Sequence, residues 1–313
     1  TLHEGKQEVL MKTTGIEIGE IRIERAVLAD TFGVFYQGKY VATEQSLLVL
    51  GVIPLEGRSI SLERLTQTLS TVKPIKHDAL AQIITIIQCD AEQSDALGQL
   101  AVQNGITVND SLRPQYLIGY EVLNPKKLAE MSEYLTYESK CSTIEGVLAG
   151  LLELHKKRSY HHALSLDCIW ITDTGVKLTH QGLFSVFKKR GLSLKKTEPI
   201  QIDPALIQRQ RFASPEELLG KLSNHTSDLF AVASIIHEIF IGQLDDPKLT
   251  ATAEYERTLP VQMPKEWQLF FQKTLAIKIR DRYPTAEVMM TAFKALPHFT
   301  HSSIDNYEES KSD

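Results

Sequence analysis

The segment SYHHALSLDCIWI, residues 159–171, sets His161, His162, Asp167 and Cys168 in one short stretch, and His180 follows. A thiol beside an imidazole can act as nucleophile and base, and imidazoles with a thiol can hold a soft metal such as zinc. The spacing of His161, His162, Cys168 and His180 matches no dedicated ligand pattern, and Cys168 opens an apolar strand, CIWIT, that buries a thiol and leaves it inert. The expectation is therefore no metal, with His161 a satisfied core histidine. Cys89, Cys141 and Cys168 are an odd number with no CxxC spacing, which argues against a disulfide framework and for a reducing compartment.

Those residues need elements to position them. The chain has 313 residues, 42% of them hydrophobic, enough for a large core. IEIGEIRIERAV alternates, GVFYQGKYVA follows a Gly-bearing turn and SLLVLGVI is a short apolar run, so residues 15 to 55 read as antiparallel strands. SLERLTQTLSTV places Leu62, Leu65, Leu69 and Val72 on one helical stripe that Pro74 ends. LAQIITIIQ and QYLIGYEVL read as strands around a polar insert that can carry a short helix. Beyond residue 124 the pattern turns helical. TIEGVLAGLLELHKK carries Ile144, Val147, Leu148, Leu151 and Leu152 on one stripe, SDLFAVASIIHEIFIG is apolar nearly all round and so central, and EWQLFFQKTL and TAEVMMTAFKAL follow. CIWIT and GVKLT, joined by DTG, form a pair of short strands.

Net charge is −5, with a basic run at FKKRGLSLKK and an acidic tail, which argues against a general nucleic-acid binder. The apolar runs LLVLGVIPL and LFAVASII fall short of the ~20 residues a membrane span requires, so the segment is expected to be soluble. The start at Thr1, without Met or a signal-peptide pattern, suggests the cytosolic domain of a longer protein whose remainder could include an anchor.

Taken in order, several segments resemble the eukaryotic-type (Hanks-type) Ser/Thr protein kinases across residues 15 to 298. TFGVFYQG is similar to the end of the glycine-rich loop and LLVL falls where the VAIK strand lies. LHKKRSYHHALSLDCIWI resembles the region around HRDLKPxN, GVKLTHQG the strand into DFG, and FASPEELLG the APE motif. TSDLFAVASIIHEIFIG resembles the DxxSxG helix and RDRYPTAEVMM the closing Arg segment. FASPE and RYPTA lean toward bacterial members. The resemblance implies an α+β, bilobal fold: a small antiparallel-sheet N-lobe at 1–123 with an insert at about 91–113, a larger, mainly helical C-lobe at 124–298, and a disordered acidic tail at 299–313.

Phosphoryl transfer depends on placed charge: metals on the phosphates, a Lys held by a Glu, a carboxylate to take the hydroxyl proton. In the frame of the resemblance, Leu50 stands at the Lys position and Thr68 at its partner; Ala163 replaces the catalytic base, Ser165 the following Lys, Cys168 the metal-binding Asn and His180 the DFG Asp. Leu28 and Asp30 take the places of two loop glycines, leaving Gly33, and Gln181 replaces the DFG Phe. Phe35, Leu48 and Trp170 enlarge the positions that sandwich adenine, so a filled pocket with no nucleotide cofactor is expected. Glu216 and Arg282 match the family's buried ion pair, Asp228 the residue that holds the catalytic-loop backbone, and His161 keeps its place in the spine.

The resulting expectation is a pseudokinase: no enzyme, but a protein-binding scaffold or allosteric regulator in signalling or complex assembly, cytoplasmic, with a protein partner. The alternative is an atypical phospho- or nucleotidyl-transferase with relocated carboxylates at Glu121, Asp167 or Asp173, of which Asp167 is the nearest. Ser193 and Thr197, amid Lys188, Lys189, Arg190, Lys195 and Lys196, are candidate phosphosites. The insert reads equally as a partner-binding surface or a tolerated loop.

Overall fold

A computed structural model describes residues 15–30, 32–53, 61–106, 113–122, 125–162, 164–183, 211–218, 223–242, 248–249, 255–256 and 263–298. Its contacts divide the chain into two compact units, residues 1–54 with 85–119, and residues 55–84 with 120–313.

The main sheet has six strands: β1 Ile16–Ile18, β2 Ile21–Asp30, β3 Gly33–Tyr40, β4 Ser46–Val52, β5 Gln82–Gln88 and β6 Tyr116–Glu121, in the order β1-β2-β3-β4-β6-β5. The alternating run IEIGEIRIERAV is two strands rather than one, because Gly19 takes φ +56 and turns the chain between them. Strands β2, β3 and β4 continue as an antiparallel meander. Leu47 to Val52 are all buried, so β4 is covered on both faces.

The insert packs on the same sheet, against β1 and β2. Its first half is a full helix, Ala91–Gln103, capped by Asp90 with a Gln93 capping box. We label the helix Leu62–Val72 α1 and this one α2. Tyr36 Oη donates to the Leu97 carbonyl at 3.1 Å, Ser94 Oγ to the Pro114 carbonyl at 2.6 Å, and the Ala26 amide, beside a bulge in β2, to Asn104 Oδ1 at 2.7 Å. These bonds fix α2 to the first unit.

In the second unit α1 buries Leu65, Leu69 and Val72 and leaves Leu62 exposed. A three-stranded sheet follows, β7 Lys126–Lys127, β8 Ile169–Thr172 and β9 Gly175–Leu178, in that order; β7 is too short to register as a hydrophobic pattern. The helices are α3 Leu128–Met131, α4 Tyr137–Lys156, α5 Pro215–Leu218, α6 His225–Phe240, α7 Lys265–Thr274 and α8 Ala286–Lys294, with a two-strand pair β10 Lys248–Leu249 and β11 Tyr255–Glu256 between α6 and α7. Every residue of α6 except His225 and Glu238 is buried, as its all-round apolar character requires. On α4 the buried stripe runs Ile144, Val147, Leu148, Leu151 and Leu154, with Leu152 half-buried beside it. Glycines let β9 press close to α4: a Cβ on Gly146 would lie 2.4 Å from Val176 Cγ1. Among the described residues no helix is long and apolar enough to cross a membrane. The acidic tail lies outside the described residues.

Candidate functional site

The loop after α4 is held by one carboxylate. Asp228 sits in the first turn of α6, whose N-cap Asn224 accepts from the Thr226 amide at 2.8 Å. Its Oδ2 accepts from the His161 amide at 2.8 Å and from His155 Nε2 at 2.9 Å, and its Oδ1 from the His162 amide at 2.8 Å. That grip sustains a left-handed backbone at His162, φ +55, which a β-carbon disfavours. Burial alone would raise the Asp228 carboxyl; the hydrogen bond from His155 and the charges of His162, His155 and His161 outweigh it and push it down to about 2. Beside this clamp His162, Leu164, Phe212, Glu217 and Asp228 line a cavity of about 10 Å³, room for one water.

A second network centres on Thr179. His161 Nε2 donates to its carbonyl at 2.8 Å. Its hydroxyl donates to the Cys168 carbonyl at 3.3 Å and accepts from Trp170 Nε1 at 3.1 Å, which makes His180 Nδ1, 2.9 Å away, a second donor to it. His180 also has a left-handed backbone, φ +67, and its amide donates to Tyr120 Oη at 3.4 Å. Cys168 Sγ donates to the Ser165 carbonyl at 3.1 Å and accepts from the Ser165 amide at 3.3 Å, so the thiol closes a tight turn. His161, Cys168, Trp170, Thr179 and His180 thus form one buried cluster.

Two ion pairs stand in the same unit. Lys127 Nζ lies 2.8 Å from Asp167 Oδ1, the lysine side chain almost wholly buried. Glu216 on α5 takes Arg282 Nη1 at 2.7 Å and Nη2 at 2.8 Å, and accepts from Ser227 Oγ at 2.6 Å. Burial raises the Glu216 carboxyl, but the bonds from Arg282 and Ser227 and the Arg282 charge leave it below the usual carboxylate range. Next to it, Glu217 Oε2 accepts from both the amide and the hydroxyl of Ser214 at 2.9 Å.

In the first unit Phe35 stands directly opposite Leu50 across β3 and β4, and Gln37 opposite Leu48, so the four share one face of the sheet. Phe35, Leu48 and Leu50 are buried there. The β2–β3 turn is closed by Asp30, whose Oδ1 accepts from the Phe32 amide at 2.8 Å and the Gly33 amide at 3.2 Å. Leu28, two residues before it, is half-buried in β2. Thr68, in the second unit, is half-buried on α1, and Gln181 is buried with Nε2 donating to the Leu178 carbonyl at 2.5 Å. Glu121 and Asp173 are exposed. Ala163, Ser193 and Thr197 lie outside the described residues.

The chemistry of this arrangement follows from its donors. Cys168 and His180 offer sulfur and nitrogen, each engaged within the fold, where a hard cation such as Mg²⁺ takes oxygen; these two positions do not fit that ion. Among the described residues no three His, Cys, Asp or Glu side chains are grouped so as to hold a metal. Burial, with the Asp90 charge, pushes the Cys89 thiol up to about 12, and burial also raises Cys141, so neither is a thiolate nucleophile at neutral pH. Sequence reasoning missed His155, Lys127 and Glu217. The one available signal was His155, on the C-terminal turn of a helix just before the histidine loop.

An antiparallel sheet followed by a helical body, with a central helix whose Asp228 holds the preceding loop, is the protein kinase fold. The chain belongs to the protein tyrosine and serine/threonine kinase family, whose model matches residues 21–290. It is 22% identical over 232 residues to the probable serine/threonine-protein kinase PknB of Lactococcus lactis subsp. lactis, a match covering 69% of this chain and 35% of that protein. It is 26% identical over 135 residues to the tyrosine-protein kinase MasK of Myxococcus xanthus, covering 40% of this chain and 21% of that protein. The chain therefore spans about a third of the length of one relative and a fifth of the other. Among solved structures it is similar to the kinase domain of Mycobacterium tuberculosis PknI, with a TM-score of 0.60 at 12% identity, covering 90% of this chain and 98% of that one.

These matches correct one expectation. The reading of the chain as no enzyme is overturned by membership of a kinase family and by relatives named as Ser/Thr and Tyr kinases. That reading rested on side-chain types at aligned positions.

Proposed function

We propose that this kinase-family domain works in signalling by binding a protein partner, as a scaffold or an allosteric regulator of a complex. The observation that carries the reading is the buried cluster around Thr179, in which Trp170 and His180 bond to the Thr179 hydroxyl, that hydroxyl bonds to the Cys168 carbonyl, and the Cys168 thiol bonds to the Ser165 carbonyl. Such a cluster stiffens a scaffold. Three free cysteines suit a cytoplasmic site of action. The test is to crosslink the tagged chain in its native cell, purify the captured partner, and measure both its affinity for the chain and its own activity with and without it. Saturable binding that changes the partner's activity supports the reading; binding with no functional effect, or none at all, sinks it.

A second reading is favoured by family membership and by the Lys127–Asp167 pair: a phospho- or nucleotidyl-transferase in which Asp167 is the proton-accepting carboxylate. The buried Lys127 ammonium, 2.8 Å away, holds that carboxylate in place. Transfer of label from ATP to a generic acceptor, abolished by Asp167→Ala and retained in Asp173→Ala, is its expected signature. Equal turnover in all three proteins excludes Asp167 from that role.

A further inference from the structure

The strand β5 reads QIITIIQ from Gln82 to Gln88, the same in both directions about Thr85. It is the last strand of the six-stranded sheet, and among the described residues β6 alone pairs with it in that sheet. Its outward side can be assigned. Ala81 and Cys89 donate inward, to the Leu178 and Gln115 carbonyls at 2.8 Å and 2.9 Å, so odd-numbered residues turn their backbone groups into the fold. Even-numbered residues turn theirs out: the Ile84 carbonyl accepts from the exposed Lys73 Nζ at 3.0 Å. Gln82, Ile84, Ile86 and Gln88 therefore present the free edge.

We propose that two copies of this chain associate by pairing their β5 edges antiparallel about a two-fold axis through Thr85. In that register Ile84 of one copy faces Ile86 of the other and Gln82 faces Gln88, and these are the positions whose N–H and C=O groups point outward. Each such pair exchanges two backbone hydrogen bonds, while the two Thr85 residues meet as the closely spaced pair between them. Because the strand is palindromic, every residue meets its own type, so isoleucine packs on isoleucine and glutamine meets glutamine, Gln82 Nε2 exchanging its 2.6 Å bond to the Lys73 carbonyl for one to its counterpart. The strand holds no charge, proline or glycine, the usual protections of an edge, and Lys73 alone caps one of its carbonyls. The opposite edge, β1, has three residues with a charged Glu17 at its centre, so pairing closes at a dimer instead of growing into a fibre.

Sedimentation velocity of the whole chain over a concentration series tests this, with circular dichroism as a check on folding. The wild type is expected to move from monomer to dimer as concentration rises. Gln82→Lys with Gln88→Lys sets lysine against lysine at both ends of the interface and should weaken the dimer roughly tenfold, whereas Gln82→Glu with Gln88→Lys sets opposite charges there and should preserve or tighten it. A wild type that stays monomeric at every concentration, growth into larger species, or equal behaviour of the two charge variants overturns the proposal. If the double-lysine variant does not fold, Lys73→Ala gives an independent reading: freeing the Ile84 carbonyl should tighten the dimer, and an unchanged or weaker one counts against it.

Discussion

Arg282 and Glu216 meet through two parallel hydrogen bonds of 2.7 Å and 2.8 Å with almost no solvent on either side chain. The guanidinium also donates through Nε to the Ala276 carbonyl at 2.8 Å and lies over the Phe230 ring, 4.9 Å from its centroid. Every strong donor is thus matched, which is the condition under which a buried pair repays its desolvation. Removing one partner leaves the other charged and dry. Arg282→Met is expected to cost about 3–5 kcal/mol in urea unfolding, and adding Glu216→Leu should restore part of the loss.

Asp228 makes stability depend on acid. Its folded value, about 2, lies below its ordinary 3.8, so its contribution is present above the ordinary value and is lost as pH falls from about 4 through 2. The size is about 2 kcal/mol. Unfolding measured from pH 7 to pH 2 should show Asp228→Asn less stable than wild type at neutral pH, with the gap narrowing across that window. A gap that stays constant to pH 2 would exclude the linkage.

The β2–β3 turn is built for one glycine and one aspartate. A Cβ on Gly33 would lie 1.9 Å from the Gly51 carbonyl oxygen, a backbone atom with nowhere to move. Gly33→Ala should destabilise on the order of 3 kcal/mol or prevent folding, while Asp30→Ala, which strands two amides, should cost about 1–2 kcal/mol. Thermal denaturation of the two variants side by side reads the difference.

Trp170 couples packing to the Thr179 hydroxyl. Trp170→Ala is expected to cost about 3–5 kcal/mol, and Trp170→Phe, which keeps most of the volume but removes the indole donor, about 1–2 kcal/mol. The chain has two tryptophans, so the fluorescence lost in these variants also reports the environment of Trp170 against that of Trp267.

Much of the fold was open to reading because periodicity is a local property. The 3.6-residue stripe of α4 and the all-round apolar α6 follow from which side chains must leave water. Where the pattern was ambiguous, backbone geometry decided: Gly19 split one alternating run into two strands, and Leu154 rather than Leu152 took the buried place on α4. The insert left two readings open, and the bonds from Tyr36 to Leu97 and from Ala26 to Asn104 show its helix built into the first unit.

The candidate site divides in the same way. The amino-acid order alone fixed the residue types at the loop, histidine and cysteine in place of carboxylate and amide, and with them the family whose segments they follow. Distances between residues remote in the chain were decided only by the folded structure. Glu216 and Arg282 are 66 positions apart, and His155 and Asp228 are 73 apart. No local pattern connects such pairs, because hydrogen bonds and charges act through space over a few ångströms, and folding alone sets which groups come within that reach.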